Sequence, residues 1–446
     1  MVADTIYALS TSPGRSGIAV VRVSGPQALE SYGLLTGKRA EQRHALLSLV
    51  TIINPVRKTV IDHALGVYFK APLSFTGEDT VEYQVHGGPA VIAELMSVLS
   101  WQPGHRLAAP GEFTRRAFEN GKMDLTEAEA IADLVHAETQ MQKAQALAQM
   151  NGVLSKIYDA WRERLMKMLA YAEAEIEFPD EDLPKDILAE LTPGITNLQK
   201  ELAAHLDDNR RGERLRDGIQ VAVIGAPNAG KSSLVNMLAK RDVAIVSDIA
   251  GTTRDVIEVH LDLGGYPVIL ADTAGLRPDQ IGNQGQDSIE SEGIRRALKR
   301  AQDADIRLLL FDATQDSYDE HTMALIDENS LIVLNKIDAG QFDEREHDAV
   351  QISVHTGDGI ATLVDALQKK IESIVGSRET PSLTRARHRE ALEECRASVT
   401  RALQASLPEL LAEDLRLASR ALGRITGKVD VEDLLDVIFR DFCIGK

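Results

Sequence analysis

Four short motifs follow one another between residues 225 and 338, and each is expected at the end of a strand or in a loop. They are Gly225–Ser232 (GAPNAGKS), Gly251–Asp255 (GTTRD), Asp272–Gly275 (DTAG) and Asn335–Asp338 (NKID). The first fits the glycine-rich pattern whose backbone N–H groups surround phosphate oxygens. Any one of these motifs could arise by chance, but their order and placement predict a GTPase.

The first motif supplies the groups that a bound triphosphate and its metal ion need. Gly225 and Gly230 allow the backbone to close around the phosphates, and the helix that begins near Gly230 points its positive end at the same anion. Lys231 places a cation on the outer phosphates, and Ser232 offers a hydroxyl to Mg²⁺. The predicted GTP contacts in this loop are Asn228, Ala229, Gly230, Lys231, Ser232 and Ser233.

The later motifs are expected to sense the terminal phosphate and to select the base. Thr253 is the predicted switch threonine, and Asp272 is predicted to hold Mg²⁺ through water; both join Lys231 as catalytic candidates. The Asp338 carboxylate can accept the N1–H and the exocyclic amine of guanine together, which adenine does not offer, so GTP is favoured over ATP. Further GTP contacts are predicted at Ser247, Thr252, Thr253, Asp272, Thr273, Ala274, Gly275, Asn335, Lys336, Asp338 and Ser353.

The glutamine that orients the attacking water in Ras-like GTPases is missing, since Leu276 occupies its position. Another group must therefore position the water and offset the charge of the transition state. Asn228, together with carbonyl groups of the loop 247–252, could bind a monovalent cation near the phosphates. The alternative for Asn228 is a loop residue whose side chain satisfies its own backbone.

The composition predicts a cytoplasmic protein of several domains. At 446 residues the chain is too long for one core, and two or three domains are expected. A net charge of −19 argues against a general nucleic-acid coat, while a local basic patch stays compatible with it. Cys395 and Cys443 are too few for a disulfide scaffold or a zinc cluster, which fits a reduced cytosol. No apolar run approaches the ~18 residues that a membrane span requires, so no membrane association is expected.

Changes in periodicity predict a multidomain protein with an α+β amino-terminal part, an α-helical part and an inserted α/β part. The helical pattern begins near Asp124, where Thr126 with Glu129 is predicted to form a capping box. The inserted part alternates short apolar strands with helices, as in a doubly wound Ras-like P-loop domain that binds its ligand at the strand carboxyl ends. The predicted domains are 1–121 (N-terminal), 122–217 (helical, first part), 218–377 (inserted G domain) and 378–446 (helical, second part).

The elements of the inserted domain can be predicted individually. Short runs of apolar and β-branched residues between turn signals favour strands, and two glycines between such runs favour a hairpin. The strands are predicted at Ile219–Ile224, Val268–Ala271, Arg307–Asp312, Leu331–Asn335 and Gln351–Val354, with the hairpin turn at Gly264–Gly265. In the amino-terminal part, strands are predicted at Ile18–Val23 and Leu65–Phe69 and a helix at Pro89–Ser100.

Segments outside the inserted domain resemble one protein family. Gly111–Leu125 (GEFTRRAFENGKMDL), Gly251–Asp255 and Cys443–Lys446 (CIGK) are similar to segments of the MnmE (TrmE) family of tRNA-modification GTPases, and the resemblance covers essentially the whole chain. It implies a homodimer whose amino-terminal domain is similar to folate-binding one-carbon enzymes and binds formyl- or methylene-tetrahydrofolate. The implied folate contacts are Arg22, Glu82, Lys122 and Lys446, each with the alternative of a surface ion pair.

The resemblance also implies GTP hydrolysis activated by potassium, with G domains that approach each other across the dimer. A glutamate downstream of Asp272 would order the water; Glu290 matches, and Glu292 is the alternative because the stretch Arg277–Asp287 is longer than usual. The implied potassium ligands are Asn228 and backbone groups of Ser247, Ile249 and Thr252, and the implied Mg²⁺ ligands are Ser232 and Thr253.

With a flavin-dependent partner of the MnmG type, in a heterotetramer, the family adds an aminomethyl or carboxymethylaminomethyl group to the wobble uridine of certain tRNAs. Cys443 would act in the folate site, with a nucleophile, a redox residue or an inert exposed thiol as alternatives. The acidic run 173–186 is interpreted as a solvated helix end rather than a metal site. The best local basic patch, which could contact tRNA or be a solvated helix face, is Arg385, Arg387, His388 and Arg389.

Three other functions fit part of the sequence. A ribosome-assembly GTPase would share the GTTR motif, but such proteins normally carry an RNA-binding appendage or a second G domain, and neither is found. In a folate-dependent one-carbon transferase the G domain would only regulate. A nonenzymatic switch would act by nucleotide-dependent change of shape, and rapid hydrolysis with K⁺ would count against it.

Overall fold

The chain divides by compactness into two units. One comprises Met1–Ala132, Gln149–Arg164 and Ser419–Lys446, and the other comprises Asp133–Ala148 and Leu165–Ala418. The four domain boundaries that were predicted from the sequence stay a prediction. The structure, a computed structural model, describes residues 4–38, 45–177, 187–241, 243–245, 258–272, 304–315, 317–339, 349–376, 382–429, 432–440 and 442–445.

The first unit is built on a mixed β-sheet with helices on one face. Its elements up to residue 107 are β1 (Thr5–Leu9), β2 (Ser16–Ser24), α1 (Ala28–Thr36), β3 (Ala45–Ile53), β4 (Val60–Phe69), β5 (Thr80–Gly87), α2 (Pro89–Ser100) and β6 (His105–Leu107). In the described part of the chain the strand order is β3-β4-β5-β2-β1-β6, with β6 parallel to β1 and the other neighbours antiparallel. Alternate strand residues such as Val21 and Tyr83 pack with Leu95 and Leu99 of α2, so the predicted strands and the predicted helix are confirmed.

Helices complete the first unit on the other side of β1 and β6. Phe113 packs on Ile6 and Ala8, and this contact covers one end of the sheet face opposite α1 and α2. A second cluster joins Leu125 to Phe439 and Phe442. The helices α3 (Glu112–Glu119), α4 (Leu125–His136) and α14 (Glu432–Arg440) lie wholly or mainly in this unit. The helices α6 (Val153–Glu177) and α13 (Pro408–Thr426) have part of their length in it, and α5 (Gln140–Met150), α7 (Ile187–Leu206) and α8 (Arg211–Asp217) lie wholly or mainly in the second unit.

The predicted capping box of α4 is wrong by two residues. The Asp124 carboxylate accepts the Glu127 N–H at 3.0 Å, and the Glu127 carboxylate accepts the Asp124 N–H at 2.9 Å. Leu125 is fully buried and already helical, so the helix has to begin before Thr126. Thr126 donates to the Asp124 carboxylate at 2.8 Å instead of capping the helix itself.

The second unit contains the doubly wound sheet that the sequence predicts. Its elements are β7 (Ile219–Ile224), α9 (Lys231–Ala239), β8 (Glu258–Leu263), β9 (Tyr266–Asp272), β10 (Ile306–Asp312), α10 (Glu320–Met323), β11 (Ser330–Asn335), β12 (Val350–Gln351), α11 (Ile360–Val375) and α12 (Ala386–Ala402). Across the described strands the order is β12-β11-β10-β7-β9-β8, and β8 alone runs antiparallel to its neighbour. The parallel strands end at one edge, where a doubly wound sheet places its ligand.

One predicted strand of this sheet is shorter than expected. The pattern Gln351–Val354 predicts four residues, whereas β12 comprises Val350–Gln351. Ser353 leaves the ladder because its N–H donates to the Asp358 carbonyl at 2.9 Å and its carbonyl accepts the Gly357 N–H at 2.8 Å, which forms a turn. The predicted hairpin at Gly264–Gly265 is confirmed, since Leu263 pairs with Tyr266. Within the described ranges no helix is both long and apolar enough to cross a membrane.

A buried carboxylate fixes α3 to β6 in the first unit. Glu112 accepts two hydrogen bonds from Arg106, at 2.8 and 2.5 Å, one from Arg116 at 3.1 Å and one from the Ala109 N–H at 2.8 Å. Burial alone would raise the pKa of Glu112, but the Arg106 guanidinium and the other donors outweigh it and hold the pKa below the usual 4.5. The ionised carboxylate is therefore part of the folded structure.

We expect Glu112→Gln to lower the free energy of unfolding of this unit by about 2–3 kcal/mol, because a charge-assisted bond is lost and Arg116 is left short of a partner. Since the folded-state pKa is depressed, the contribution of Glu112 is present above pH 4.5 and is lost as the pH falls through the lower folded-state value. Urea titration followed by fluorescence measures this, because both tryptophans, Trp101 and Trp161, lie in this unit.

The matched control is Glu119→Gln, which removes an exposed partner of Arg115 and is expected to cost less than about 1 kcal/mol. An equal cost for both substitutions at pH 7 would contradict the role of burial. If the loss of unfolding free energy caused by Glu112→Gln were no smaller at acidic pH than at pH 7, this would contradict the role of ionisation.

Candidate functional site

The phosphate-loop motif connects the end of β7 to the start of α9. Gly230 stands at the amino-terminal cap of α9 with a φ of 102°, and Asn228 is also left-handed with a φ of 64°. A Cβ atom at Gly225 would lie 2.3 Å from the Leu310 carbonyl oxygen of β10, so the loop leaves the sheet at a point that tolerates no side chain. The loop conformation therefore depends on its two glycines.

Lys231 crosses this loop. Its Nζ donates to the carbonyl oxygens of Gly225 and Ala226, each at 2.8 Å. The ammonium group thus lies above the first turn of α9, where the positive end of the helix also favours an anion. The position is the one that a phosphate-binding lysine requires.

Asn335 joins the phosphate loop to the base-selecting loops. This residue ends β11, is almost fully buried, donates from Nδ2 to the Ala229 carbonyl at 2.8 Å and accepts the Val354 N–H at 3.1 Å. A Cβ atom at Gly230 would lie 2.3 Å from Asn335 Nδ2, so the two loops approach closely. The Asn335 amide therefore contacts both the phosphate loop and the loop after β12.

Asp338 carries a fixed and ionised carboxylate. The Ser353 hydroxyl donates to it at 2.7 Å, and His355 lies 3.6 Å away. The hydrogen bond from Ser353 is the main reason that the pKa of Asp338 is lowered below its usual value. The neighbouring Lys336 turns away and forms an ion pair with Asp312 at 2.6 Å. The structure thus places Ser353, which was predicted as a base contact, in hydrogen-bond contact with the Asp338 carboxylate.

These groups surround one cavity of about 670 Å³ in the second unit. A volume of this size is in the range of small-molecule sites. The phosphate-loop residues form one end, and the base-selecting residues form the other. Predicted site residues that line the cavity are Asn228, Gly230, Lys231, Ser232, Ser233, Asn335, Lys336 and Asp338.

Two of the residues predicted to hold Mg²⁺, directly or through water, lie at or after the ends of the neighbouring strands β7 and β9. Ser232 lines the cavity, and Asp272 ends β9 directly opposite Val223 of β7, beside the strand that leads into the phosphate loop. Hydroxyl and carboxylate oxygens are the ligands that Mg²⁺ prefers, so the donor set fits that ion. Among the described residues no group of three or more His, Cys, Asp or Glu side chains could hold a metal by itself.

Asn228 provides a polar side chain at the phosphate-loop end of the cavity. The residue is exposed, lines the cavity and forms no hydrogen bond with the part of the chain that the structure describes, unlike the self-satisfied loop residue of the alternative interpretation. An amide oxygen fits a monovalent cation. Predicted site residues outside the described ranges are Ser247, Ile249, Thr252, Thr253, Thr273, Ala274, Gly275, Glu290, Glu292 and Lys446.

Two of the residues implied as folate contacts form a pair in the first unit. Arg22 and Glu82 are directly opposite on β2 and β5, and their side chains are joined at 2.8 Å. The Arg22 guanidinium carbon lies 5.4 Å from the ring centre of Phe75 and 5.5 Å from that of Phe113, which are cation–π distances. The aromatic rings were missed by the sequence analysis, although Phe113 lies inside the GEFTRRAF segment.

Lys122 and the carboxyl-terminal tail lie in the same unit. Lys122 donates to the Pro72 carbonyl at 2.9 Å, in the loop that also carries Phe75. Ile444 pairs with Pro110, and a Cβ atom at Gly445 would lie 2.3 Å from the Leu9 carbonyl oxygen of β1. Cys443, which directly precedes Ile444, is exposed. The tail therefore lies along the end of β1, next to the strand that carries Arg22.

The predicted basic patch is largely used inside the second unit. Arg385 pairs with Asp133 at 2.6 Å, and Arg389 pairs with Asp208 at 2.6 Å and Glu213 at 2.7 Å. His388 is almost fully buried. Arg385, His388 and Arg389 thus do not form a solvated helix face, because the two arginines pair with acidic residues distant in sequence and the histidine is buried. In the acidic run, Glu173 pairs with Arg416 at 2.7 Å.

Comparison with known proteins covers the full chain. A family model described as the MnmE helical domain matches residues 125–443, and one described as the GTP-binding protein TrmE N-terminus matches residues 5–122. Proteins named tRNA modification GTPase MnmE are 57% identical in Parvibaculum lavamentivorans, over 99% of this chain and 100% of the relative, and 51% identical in Rhodospirillum rubrum, over 100% of both. The Rickettsia conorii relative is 45% identical over 99% of this chain and 100% of its own. The chain therefore belongs to the MnmE (TrmE) family of tRNA modification GTPases.

Proposed function

We propose that this protein is a potassium-activated GTPase that modifies the wobble uridine of certain tRNAs. It acts in the cytoplasm with a flavin-dependent partner of the MnmG type, in a heterotetramer, and adds an aminomethyl or carboxymethylaminomethyl group with a tetrahydrofolate one-carbon donor. One observation carries the proposal: in a chain whose family membership spans its whole length, Asn335 brings a phosphate loop and a guanine-selecting carboxylate to one cavity.

The residues divide the work of GTP hydrolysis between them. Lys231 and the amino terminus of α9 balance the charge of the phosphates, which supports both binding and the transition state. Ser232 and Thr253 would hold Mg²⁺, with Asp272 as a partner through water; when bound, this ion neutralises charge that develops on the phosphate oxygens. Glu290, with Glu292 as the alternative, would orient the attacking water, the task that Leu276 cannot perform.

Potassium would supply the positive charge that other GTPases take from an arginine. Its ligands would be the Asn228 side chain and backbone groups of Ser247, Ile249 and Thr252. The left-handed backbone at Asn228, which asparagine adopts more readily than most residues, and its place in the lining of the cavity support this assignment. The ion adds charge stabilisation without a proton transfer.

We expect GTP turnover by the purified protein to be at least about 10-fold faster in KCl than in NaCl at equal ionic strength, because the bound cation offsets transition-state charge. Asn228→Ala should abolish the difference. Asn236→Ala, an exposed asparagine on α9, serves as the matched control and should keep it. Equal turnover in both salts would overturn the potassium mechanism and favour an assembly or regulatory GTPase.

The Asp338 carboxylate gives a second test, directed at the base. Asp338→Asn replaces an acceptor by an amide that can donate, so two hydrogen bonds to guanine are lost and the affinity for GTP should fall about 100-fold. Xanthine carries a carbonyl where guanine carries its amine, so xanthosine triphosphate should become the better ligand of the variant. Fluorescent-nucleotide titration measures both affinities.

The control for this substitution is Asp365→Asn, an exposed carboxylate on α11 outside the cavity. It should leave the preference for GTP unchanged. A variant at Asp338 that still prefers GTP would mean that another residue selects the base.

The dimer and the folate site are proposed to share one sheet face. Directly opposite residues of a sheet point to the same side, and the pairs Leu49–Leu65, Val67–Glu82 and Arg22–Glu82 therefore connect β3 to β2 on the face away from α1 and α2. Leu47 and Leu49 on this face are 64% and 74% exposed. An exposed apolar strip of this kind supports burial against a second copy of the chain.

The polar pair next to this strip suits the folate ligand. Glu82 can accept from the guanidine-like edge of a pterin, and Arg22 and Lys122 can meet carbonyl and carboxylate groups. Lys446 would join them from the tail that lies along β1. Cys443, exposed in the same tail, would act in this site. The surface ion pair of the alternative interpretation exists between Arg22 and Glu82, and folate binding would exchange it for ligand contacts.

We expect Leu49→Glu to convert the dimer to a monomer at micromolar concentration, because it places two charges in an apolar interface where each leucine contributes about 2 kcal/mol. Light scattering of the eluted protein gives the mass. Leu34→Glu is the matched control: this leucine of α1 is 53% exposed on the opposite side of the sheet. A dimer that survives Leu49→Glu would assign dimerisation to another surface.

A further inference from the structure

The hairpin of β8 and β9 is packed at its tip. Gly264 and Gly265 turn the chain with φ values of 64° and 92°, as a tight two-residue turn requires. A Cβ atom at Gly264 would lie 2.6 Å from Gln368 Nε2 of α11, and one at Gly265 would lie 3.3 Å from Met141 Cγ of α5. The Met141 N–H also donates to the Gly265 carbonyl at 3.2 Å. The tip therefore contacts α5 through both side chain and backbone.

A side-chain pair lies next to this contact. His260 Nδ1 of β8 and Glu138 Oε2, two residues before α5, are 2.9 Å apart, and both side chains are about one-third exposed or less. Glu138 is 122 residues from His260 in the sequence. The pair fixes the side of β8 on the same segment that holds the tip.

The residues that lead into the predicted potassium loop are hydrogen-bonded to the edge of β8 that does not pair with β9. The His260 carbonyl accepts the Ile245 N–H at 2.8 Å, and the Val243 carbonyl accepts the Asp262 N–H at 2.7 Å. Ile245 precedes Ser247, the first of the predicted potassium ligands, by two residues. His260 is thus bonded through its side chain to Glu138 and through its backbone to the start of that loop.

The segment 138–145 is in turn bonded to α8, the helix that precedes the strand of the phosphate loop. Gln142 Nε2 donates to the Arg216 carbonyl at 3.0 Å, and Gln145 Nε2 donates to the Gly212 carbonyl at 3.1 Å. Both acceptors belong to α8, which is followed after Gly218 by β7 and the phosphate loop. The segment 138–145 therefore contacts both β8, which pairs with residues 243–245, and α8, which precedes the strand of the phosphate loop.

We propose that Glu138 and His260 are positioning residues for GTP hydrolysis, which hold residues 243–245, the described residues that lead into the predicted potassium loop, without touching the nucleotide. The inference rests on the proposed potassium mechanism and deepens it. A supporting contact of this kind holds ligand groups within the narrow geometry that catalysis requires. Loss of the Glu138–His260 contact should weaken the binding of the cation. The phosphate loop, which Asn335 holds separately, should stay intact.

The test compares Glu138→Ala, His260→Ala and the double variant in the full-length protein. Each should raise the potassium concentration for half-maximal GTP turnover about 5-fold, and the double variant should be no worse than either single variant because both residues serve one contact. GDP affinity should stay within about twofold of the unsubstituted protein, since the phosphate loop keeps its own contacts. His260→Gln, whose amide can still donate to Glu138, should restore the normal potassium dependence.

Glu328→Ala, an exposed glutamate of the same unit, is the control and should change nothing. An unchanged potassium dependence in Glu138→Ala overturns the proposal. The proposal is also overturned if the increases in the potassium concentration for half-maximal turnover multiply in the double variant. A parallel fall of GDP affinity and melting temperature would assign the pair a structural role instead and also overturns it. If the unsubstituted protein needs no potassium, the proposed function has failed, which is seen before any variant is made.

Discussion

The hydrogen bond from the Asn335 amide to the Ala229 carbonyl is the contact on which the nucleotide cavity depends. It joins the end of β11 to the loop after β7, although 106 residues separate the two in the sequence. The bond is possible because Gly230 has no Cβ atom in the way. The other amide end orders Val354, so that Ser353 can orient Asp338. Phosphate binding and base selection are therefore coupled through one buried side chain.

The sequence predicts the second unit well because its signals are local. Strands β7 and β10 and the hairpin at Gly264–Gly265 follow from short apolar runs between glycines and turns. The errors arise where tertiary packing overrides a local pattern. Burial of Leu125 moves the cap of α4 to Asp124, and the turn closed by Ser353 and Asp358 ends β12 early. Contacts between distant residues, such as Arg22 with Glu82 or Glu138 with His260, have no local signal at all. The interpretation of Arg389 as part of a solvated helix face was wrong for the same reason, since its acidic partners lie 176 and 181 residues away.

The first unit uses ionic pairs in two different ways. In the first unit, Glu112 is enclosed by Arg106, Arg116 and a backbone N–H, so its charge is matched where water is scarce. Arg22 and Glu82 also pair, on the sheet face that carries the exposed leucines, and each of the two side chains is less than one-fifth exposed. Among the described residues Glu82 has one guanidinium partner, whereas Glu112 has two and a backbone N–H. The number of partners thus separates a structural carboxylate from a candidate binding carboxylate of the same chemistry.

The packed tip of the β8–β9 hairpin has a consequence for the variation of this chain. Hairpin tips ordinarily accept extra residues, because they project into solvent and their backbone makes no contacts with other elements. Here Gln368 approaches Gly264 from one side and Met141 binds Gly265 from the other. An insertion, or a substitution that needs a negative φ, would have to displace α5 or α11. The length of this turn and its two glycines should therefore be as restricted as a position in a hydrophobic core, and an inserted epitope or fluorophore belongs elsewhere in the chain.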